Sequence, residues 1–239
     1  MKINMWSGPR NVSTALMYSF AQRSDTKVVD EPFYAHYLLQ SGAEHPGRAE
    51  VLESQPGDPQ QVLQDLLSER STPVLFLKNM AHHMTGMKES LQKLISECTH
   101  LFLIRHPREM LPSLHESLPH PSLRDTAYKM QFELFREVRK QGRPAQVIDA
   151  AELLKAPRQV LKTLCDNFHI PFESGMLEWQ KGPIPEDGVW ARHWYDSVHR
   201  STGFLPYQPK EEPFPDELVP LYEECKPFYD KLFAHAIKM

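Results

Sequence analysis

Short apolar runs alternate along this chain with longer stretches in which apolar residues recur every third or fourth position. That alternation predicts parallel strands joined by crossover helices. Residues 2–6, 27–30, 73–78, 100–105 and 145–149 form the apolar runs and are the expected strands. Residues 11–22 place Leu16, Ser19 and Phe20 on one helical face, and 84–97 space Met87, Leu91, Leu94 and Ile95 at intervals of three and four. Further helices are expected at 107–118, 122–141 and 157–168. Pro112 interrupts the first of these and removes a backbone donor, whereas Pro157 stands in a first turn, where no donor is needed. The fold class expected is α/β, a three-layer arrangement with a parallel sheet flanked by helices.

Two segments break the pattern. Residues 41–61 are rich in Gly, Pro and Glu and are expected to be a loop insertion. Residues 181–215 carry many prolines, but also Trp190, Trp194, Tyr195, Phe204 and Tyr207. Aromatic content of that kind belongs to ordered chain, and a long ordered loop in an α/β protein serves as a lid or simply packs on the core. With 239 residues and 41% hydrophobic residues, a single domain over 1–239 with these two insertions is the expected organisation.

Net charge adds an exclusion. With 27 Lys plus Arg against 31 Asp plus Glu, the chain carries −4 and has no field that would gather a nucleic acid, so any small anion needs a local basic pocket. Cys98, Cys165 and Cys225 show no metal-ligand or disulfide spacing. The expected setting is reducing and cytoplasmic. No apolar run reaches membrane-spanning length, so no membrane partner is expected.

The sharpest local signal is Ser7-Gly8-Pro9-Arg10-Asn11-Val12-Ser13-Thr14, between an apolar strand and an amphipathic helix. Free N–H groups at a helix start, one cation and two hydroxyls make an anion cradle. A strand-to-helix turn capped by Asn11 or Ser13 fits the same residues. In the nucleotide-hydrolase loop GxxxxGK[ST] a lysine directly precedes the hydroxyl residue; here Val12 stands there and Arg10 supplies the cation. Magnesium-assisted phosphoryl transfer is thereby disfavoured, although Asp30 and Asp149 end strand-like runs where magnesium-binding acids occur.

A second signal runs from Leu101 through Arg105 to Ser113. Ligands of parallel sheets gather beyond the carboxyl ends of strands, so Arg105 is expected on the same edge as Arg10. Ser113, eight residues after Arg105, is placed to return from the next helix, and pairing of Arg105 with Glu109 is the plain alternative.

Together these segments resemble the sulfotransferase family, whose donor is 3'-phosphoadenosine 5'-phosphosulfate. Pro9, Arg10, Asn11, Val12, Ser13 and Thr14 resemble its 5'-phosphosulfate loop, with Arg10 for the usual Lys. Arg105 and Ser113 reproduce its 3'-phosphate pair. Val147 to Leu153 and the helix that follows are similar to its strand, acidic turn and helix. Arg200, Ser201, Thr202 and Gly203 resemble the loop that closes over the 3'-phosphate, with Ser201 in place of a Lys, and Glu31-Pro32 matches carbohydrate and bacterial members. The resemblance implies sulfuryl transfer to a hydroxyl or amine of a small-molecule or carbohydrate acceptor, on a phosphate-loop fold, with no metal.

The family's catalytic His would lie at position 80, which is Met80, and its adenine-flanking aromatics would lie at Ala15 and Ala150. Under this resemblance Arg10, Ser13 and Thr14 hold the phosphosulfate and Lys78 stabilises the bridging oxygen. Glu31 is the first candidate base, followed by His82 and His83, since an imidazole accepts a proton near neutrality. Tyr34, His36, Tyr37, Trp190, His193, Trp194 and Tyr195 are candidate acceptor walls. A nucleotide-dependent kinase and a non-catalytic nucleotide-binding module stand as alternatives on the same fold. A homodimer is left open among the partners.

Overall fold

A computed structural model describes residues 1–209 and 212–238. The chain runs β1 (Lys2–Ser7), α1 (Ser13–Ala21), β2 (Thr26–Asp30), α2 (Tyr34–Ser41), α3 (Arg48–Ser54), α4 (Pro59–Ser68) and β3 (Val74–Met80). It continues with α5 (Lys88–Glu97), β4 (Thr99–Ile104), α6 (Pro107–Ser117), α7 (Leu123–Thr126), α8 (Tyr128–Lys140) and β5 (Ala145–Asp149). The remainder is α9 (Ala150–Lys155), α10 (Pro157–Phe168), α11 (Ala191–Trp194), α12 (Asp196–Arg200) and α13 (Val219–Phe233).

All five strands lie parallel in one sheet of order β2-β3-β1-β4-β5. Strand side chains alternate between faces, and both faces are covered by helices, as a parallel sheet requires. Ile3, Met5, Phe76, Leu101 and Leu103 enter one core with Leu16 and Phe20 of α1. Trp6, Leu75, Leu77, Phe102 and Ile104 enter the other, with Leu111 of α6 and Phe135 of α8. Full burial of side chains this size contributes about 1.5–3 kcal/mol each. The buried imidazole of β4 is paired on both sides: Trp6 Nε1 donates to His100 Nδ1 at 3.1 Å, and His100 Nε2 lies 3.0 Å from the Ile95 carbonyl oxygen. Burial lowers the His100 pKa to about 4, so the ring is neutral and Nε2 is the donor.

The crossover from β1 runs outward to β2, while that from β4 runs the other way to β5. The two connections therefore leave the carboxyl edge in opposite directions and open a crevice between the loops after β1 and β4. Gln131 of α8 donates to the carbonyls of Trp6 and Leu103 at 3.2 and 3.1 Å, holding the two strand ends together beneath it.

Two expectations are corrected. Residues 41–61 are not plain loop, because they contain α3, whose Val51 is fully buried. The helix expected at 122–141 is divided at Ala127, with φ of 63°, after a capping box between Ser122 and Asp125. Sequence periodicity also left out α2, α4 and α13 and the short helices α9, α11 and α12; α13 is obscured by Pro220 and Pro227. The cysteines are free and buried, and no described helix is long and apolar enough to cross a membrane.

Candidate functional site

A cleft of about 590 Å³ opens at the carboxyl edge of the sheet. Its floor is the turn from β1 into α1. Arg10 and Val12 both hold positive φ, 59° and 58°, on either side of Asn11, an alternation that turns successive N–H groups inward as a nest. A β-branched residue rarely adopts that conformation, so the surroundings must hold it there. Asn11 Nδ2 anchors the turn to the Leu103 carbonyl at 3.2 Å. No side chain caps the start of α1, and its first N–H groups have no intrahelical acceptor. An anion fits that vacancy of partners. Gly8 allows the approach, since a Cβ there would stand 2.8 Å from the Thr126 carbonyl oxygen at the division between α7 and α8.

Arg10 and Arg105 meet in this cleft. Arg105 Nη1 donates to the Arg10 carbonyl oxygen at 2.9 Å, and Arg10 Nε donates to Ser113 Oγ at 2.9 Å. Arg105 Nε also faces Glu109 at 3.3 Å, so the plain pairing exists beside the ligand-facing one. A guanidinium has five donors, and those not used here remain for a ligand. Tyr207 reaches in from the long loop to donate to Glu109 at 2.6 Å.

Lys78, at the end of β3, is 1% exposed and donates to Asp30 Oδ1 at 2.7 Å, Glu31 Oε1 at 2.5 Å and Tyr195 Oη at 2.6 Å. These use all three donors of an ammonium group. The charge of Lys78 acts on the cleft, but its hydrogen bonds go to protein rather than toward a bridging oxygen. Tyr195 in turn donates to Asp30 Oδ2 at 2.7 Å and accepts from Trp190 Nε1 at 3.0 Å. Glu31 leaves β2 in the left-handed region, with φ of 40°, which turns its side chain toward Lys78. Burial raises the Glu31 pKa, opposed by Lys78 and reinforced by Asp30.

His82 and His83 also line the cleft. The His83 ring stacks on Tyr34 at 4.8 Å and on Tyr37 at 4.6 Å, with Nδ1 3.9 Å from Glu31 Oε2. Burial lowers the His82 pKa to about 4 and the His83 pKa well below its usual value. Both rings are therefore neutral at neutral pH.

The long loop contributes unequally. Ser201 and Gly203 line the cleft, and Ser201 Oγ accepts from Trp179 Nε1 at 3.1 Å. Arg200 and Thr202 do not line it: Arg200 is exposed and pairs with Asp196 at 2.6 Å, while the Thr202 carbonyl accepts from the Trp179 N–H. Pro9, Asn11, Val12, Ser13, Thr14, Lys78 and Trp194 are all in the lining, whereas His36, Trp190 and His193 are not. His45, Asp125 and Tyr207 line it as well and were not singled out as site residues in the sequence, because nothing local marks them. Of the acids weighed for magnesium, Asp30 holds Lys78, and Asp149 caps α9 through Ala151 N–H at 2.9 Å. Among the described residues no group of three His, Cys, Asp or Glu side chains is placed to hold a metal.

Comparison with known proteins gives one family, described as "Sulfotransferase domain", which matches residues 1–236. Two curated proteins of Arabidopsis thaliana, named branched-chain-amino-acid aminotransferase-like proteins 1 and 2, are 41% and 38% identical over 98% of this chain. The chain spans only 42% and 41% of their lengths. Among solved structures, a sulfotransferase domain from the curacin biosynthetic pathway superposes with a TM-score of 0.62 at 17% identity, covering 99% of this chain and 98% of that one. A sulfotransferase from Alicyclobacillus acidocaldarius gives 0.58 at 14%, covering 97% and 94%. At those identities the likeness is one of fold.

Proposed function

This chain is a member of the sulfotransferase domain family, and we propose from that premise that it transfers a sulfuryl group from 3'-phosphoadenosine 5'-phosphosulfate to a hydroxyl or amine of a small-molecule or carbohydrate acceptor. The observation that carries this reading is the meeting of Arg10 and Arg105 over Ser113 in one cleft. The inward N–H groups of the Arg10–Val12 turn, with Ser13 and Thr14, take the phosphosulfate. Arg105 and Ser113 take the 3'-phosphate, with Ser201 and Gly203 closing on it. The donor supplies an activated sulfur bound to a phosphate leaving group.

Catalysis on this scheme is alignment, charge stabilisation and proton removal. The acceptor oxygen bonds to sulfur as the bridging S–O bond breaks, leaving 3'-phosphoadenosine 5'-phosphate. Glu31 is the proposed base. Its Oε1 is held by Lys78, while Oε2, whose nearest partner recorded among the described residues is His83 at 3.9 Å, takes the acceptor proton. Arg10 has guanidinium donors left for the developing charge. Within one domain and in a cytoplasmic setting, residues 44–46 of the first insertion and residues from 194 to 208 of the second wall the cleft; residues 210 and 211 of the second lie outside the described residues.

Incubation with labelled donor and mixed metabolites, followed by a search for a product heavier by one sulfuryl group, tests the reading. A nucleotide-binding module without chemistry would bind the donor and yield no product. Magnesium-dependent triphosphate turnover would favour a kinase. Against the kinase stands the engagement of Asp30 by Lys78, Tyr195 and the Gly188 N–H.

A further inference from the structure

The lining divides by charge in a way the donor does not require. Arg10, Arg105 and Lys78 are its cations. The first two belong to the anion-binding group around Ser113, and Lys78 is held by Asp30 and Glu31. Around the other part stand the rings of Tyr34, Tyr37, His45, His82, His83 and Trp194. They form one packed set: Tyr34 Oη lies 2.7 Å from His45 Nδ1, His45 meets Trp194 edge to face at 6.4 Å, and Tyr37 meets His82 at 5.0 Å.

Burial lowers the pKa of His45, His82 and His83 alike, so these imidazoles bring no positive charge at neutral pH. The carboxylates that line this part are Glu31, Glu44 and Asp125. The nearby arginines stand outside the lining: Arg48 pairs with Glu44, and Arg124 is exposed. An anionic group entering here would find three carboxylates in the lining against one cation outside it, the exposed Arg124 guanidinium, whose charge reaches Tyr37 and His82. A protonated amine would find both acids and aromatic faces, the surroundings that favour a cation.

On the sulfotransferase reading above, we infer that this end of the cleft selects a ring-bearing alcohol carrying a protonated amine as its acceptor and rejects the anionic analogue. The rings of Tyr34 and Trp194 cover the acceptor's apolar body, Asp125 and Glu44 face its amine, and its hydroxyl is left for Glu31.

The test is a matched set of phenols, tyramine, 4-(2-hydroxyethyl)phenol and 4-hydroxyphenylacetate, titrated by calorimetry with and without saturating 3'-phosphoadenosine 5'-phosphate. Tyramine is expected to bind at least about tenfold tighter than the carboxylate, with the neutral compound between them. In a Glu44→Gln/Asp125→Asn double variant, whose folding is checked by its melting temperature, the gap between amine and carboxylate should shrink severalfold. Equal binding of all three compounds, binding of none, or an unchanged gap in the folded double variant overturns the assignment. Because the ranking is also read without nucleotide, a protein that ignored the nucleotide but still ranked the phenols would refute the donor reading and leave the charge selection standing.

Discussion

Arg105 Nη1 donates to the carbonyl oxygen of Arg10 at 2.9 Å, joining two residues that stand 95 positions apart. The contact fixes a carbonyl whose residue is held at positive φ, so the second cationic site also supports the backbone of the first. If the two residues bind opposite ends of one ligand, as proposed, the contact holds them toward each other before it arrives, which lowers the ordering cost of binding.

Arg105→Ala should weaken binding of 3'-phosphoadenosine 5'-phosphate about tenfold or more, since charge-assisted hydrogen bonds contribute roughly 1.5–3 kcal/mol each. Calorimetric titration measures it. Unchanged affinity would remove Arg105 from the ligand site.

Gly8→Ala places a Cβ against the Thr126 carbonyl and must push the loop away from the division between α7 and α8. A cost of about 1–3 kcal/mol is expected, together with weaker nucleotide binding. Thermal melting with and without nucleotide separates the two effects.

Glu31→Gln should lower kcat about 10²- to 10⁴-fold while the donor still binds. A base works only when ionised, and burial raises the pKa of Glu31, so the wild-type rate should rise with pH through a value above that of an ordinary carboxylate. That acidic limb should vanish in the Gln variant. Rate against pH, with nucleotide affinity as the control, is the measurement.

Lys78→Met leaves Asp30 and Glu31 buried without their counter-charge, and Tyr195 without its ammonium donor. Removing one partner of such a group costs about 3–5 kcal/mol. Denaturant unfolding should show that loss, and adding Asp30→Asn should restore part of it. A variant as stable as the wild type would contradict the network.

Burial raises the Asp149 pKa from 3.8 to about 6. Because the folded value exceeds the unfolded one, the folded state holds the proton more tightly between those two values. Asp149's contribution is therefore full below pH 3.8 and is lost as pH rises through about 6. The difference is worth roughly 3 kcal/mol. Asp149→Asn keeps an oxygen to accept from the Ala151 N–H, and should melt above the wild type at pH 8 while the two converge toward pH 4.

The strands were legible in the sequence because each is a local run that a parallel sheet buries on both faces. The edge on which Arg10, Arg105 and Glu31 gather followed from their places at strand ends. The sequence by itself determined the α/β class, all five strands and the phosphate-loop turn, since near-neighbour patterning and turn chemistry carry that information. Helix α13 escaped because prolines mask its period, and the break at Ala127 lies where the turn after β1 packs close against it, a contact between distant segments. Only the tertiary structure decided that Lys78 lies between Asp30, Glu31 and Tyr195, the last 117 positions away, and that the cleft's histidines are neutral. Desolvation and long-range pairing depend on which segments pack together, and no local pattern encodes that.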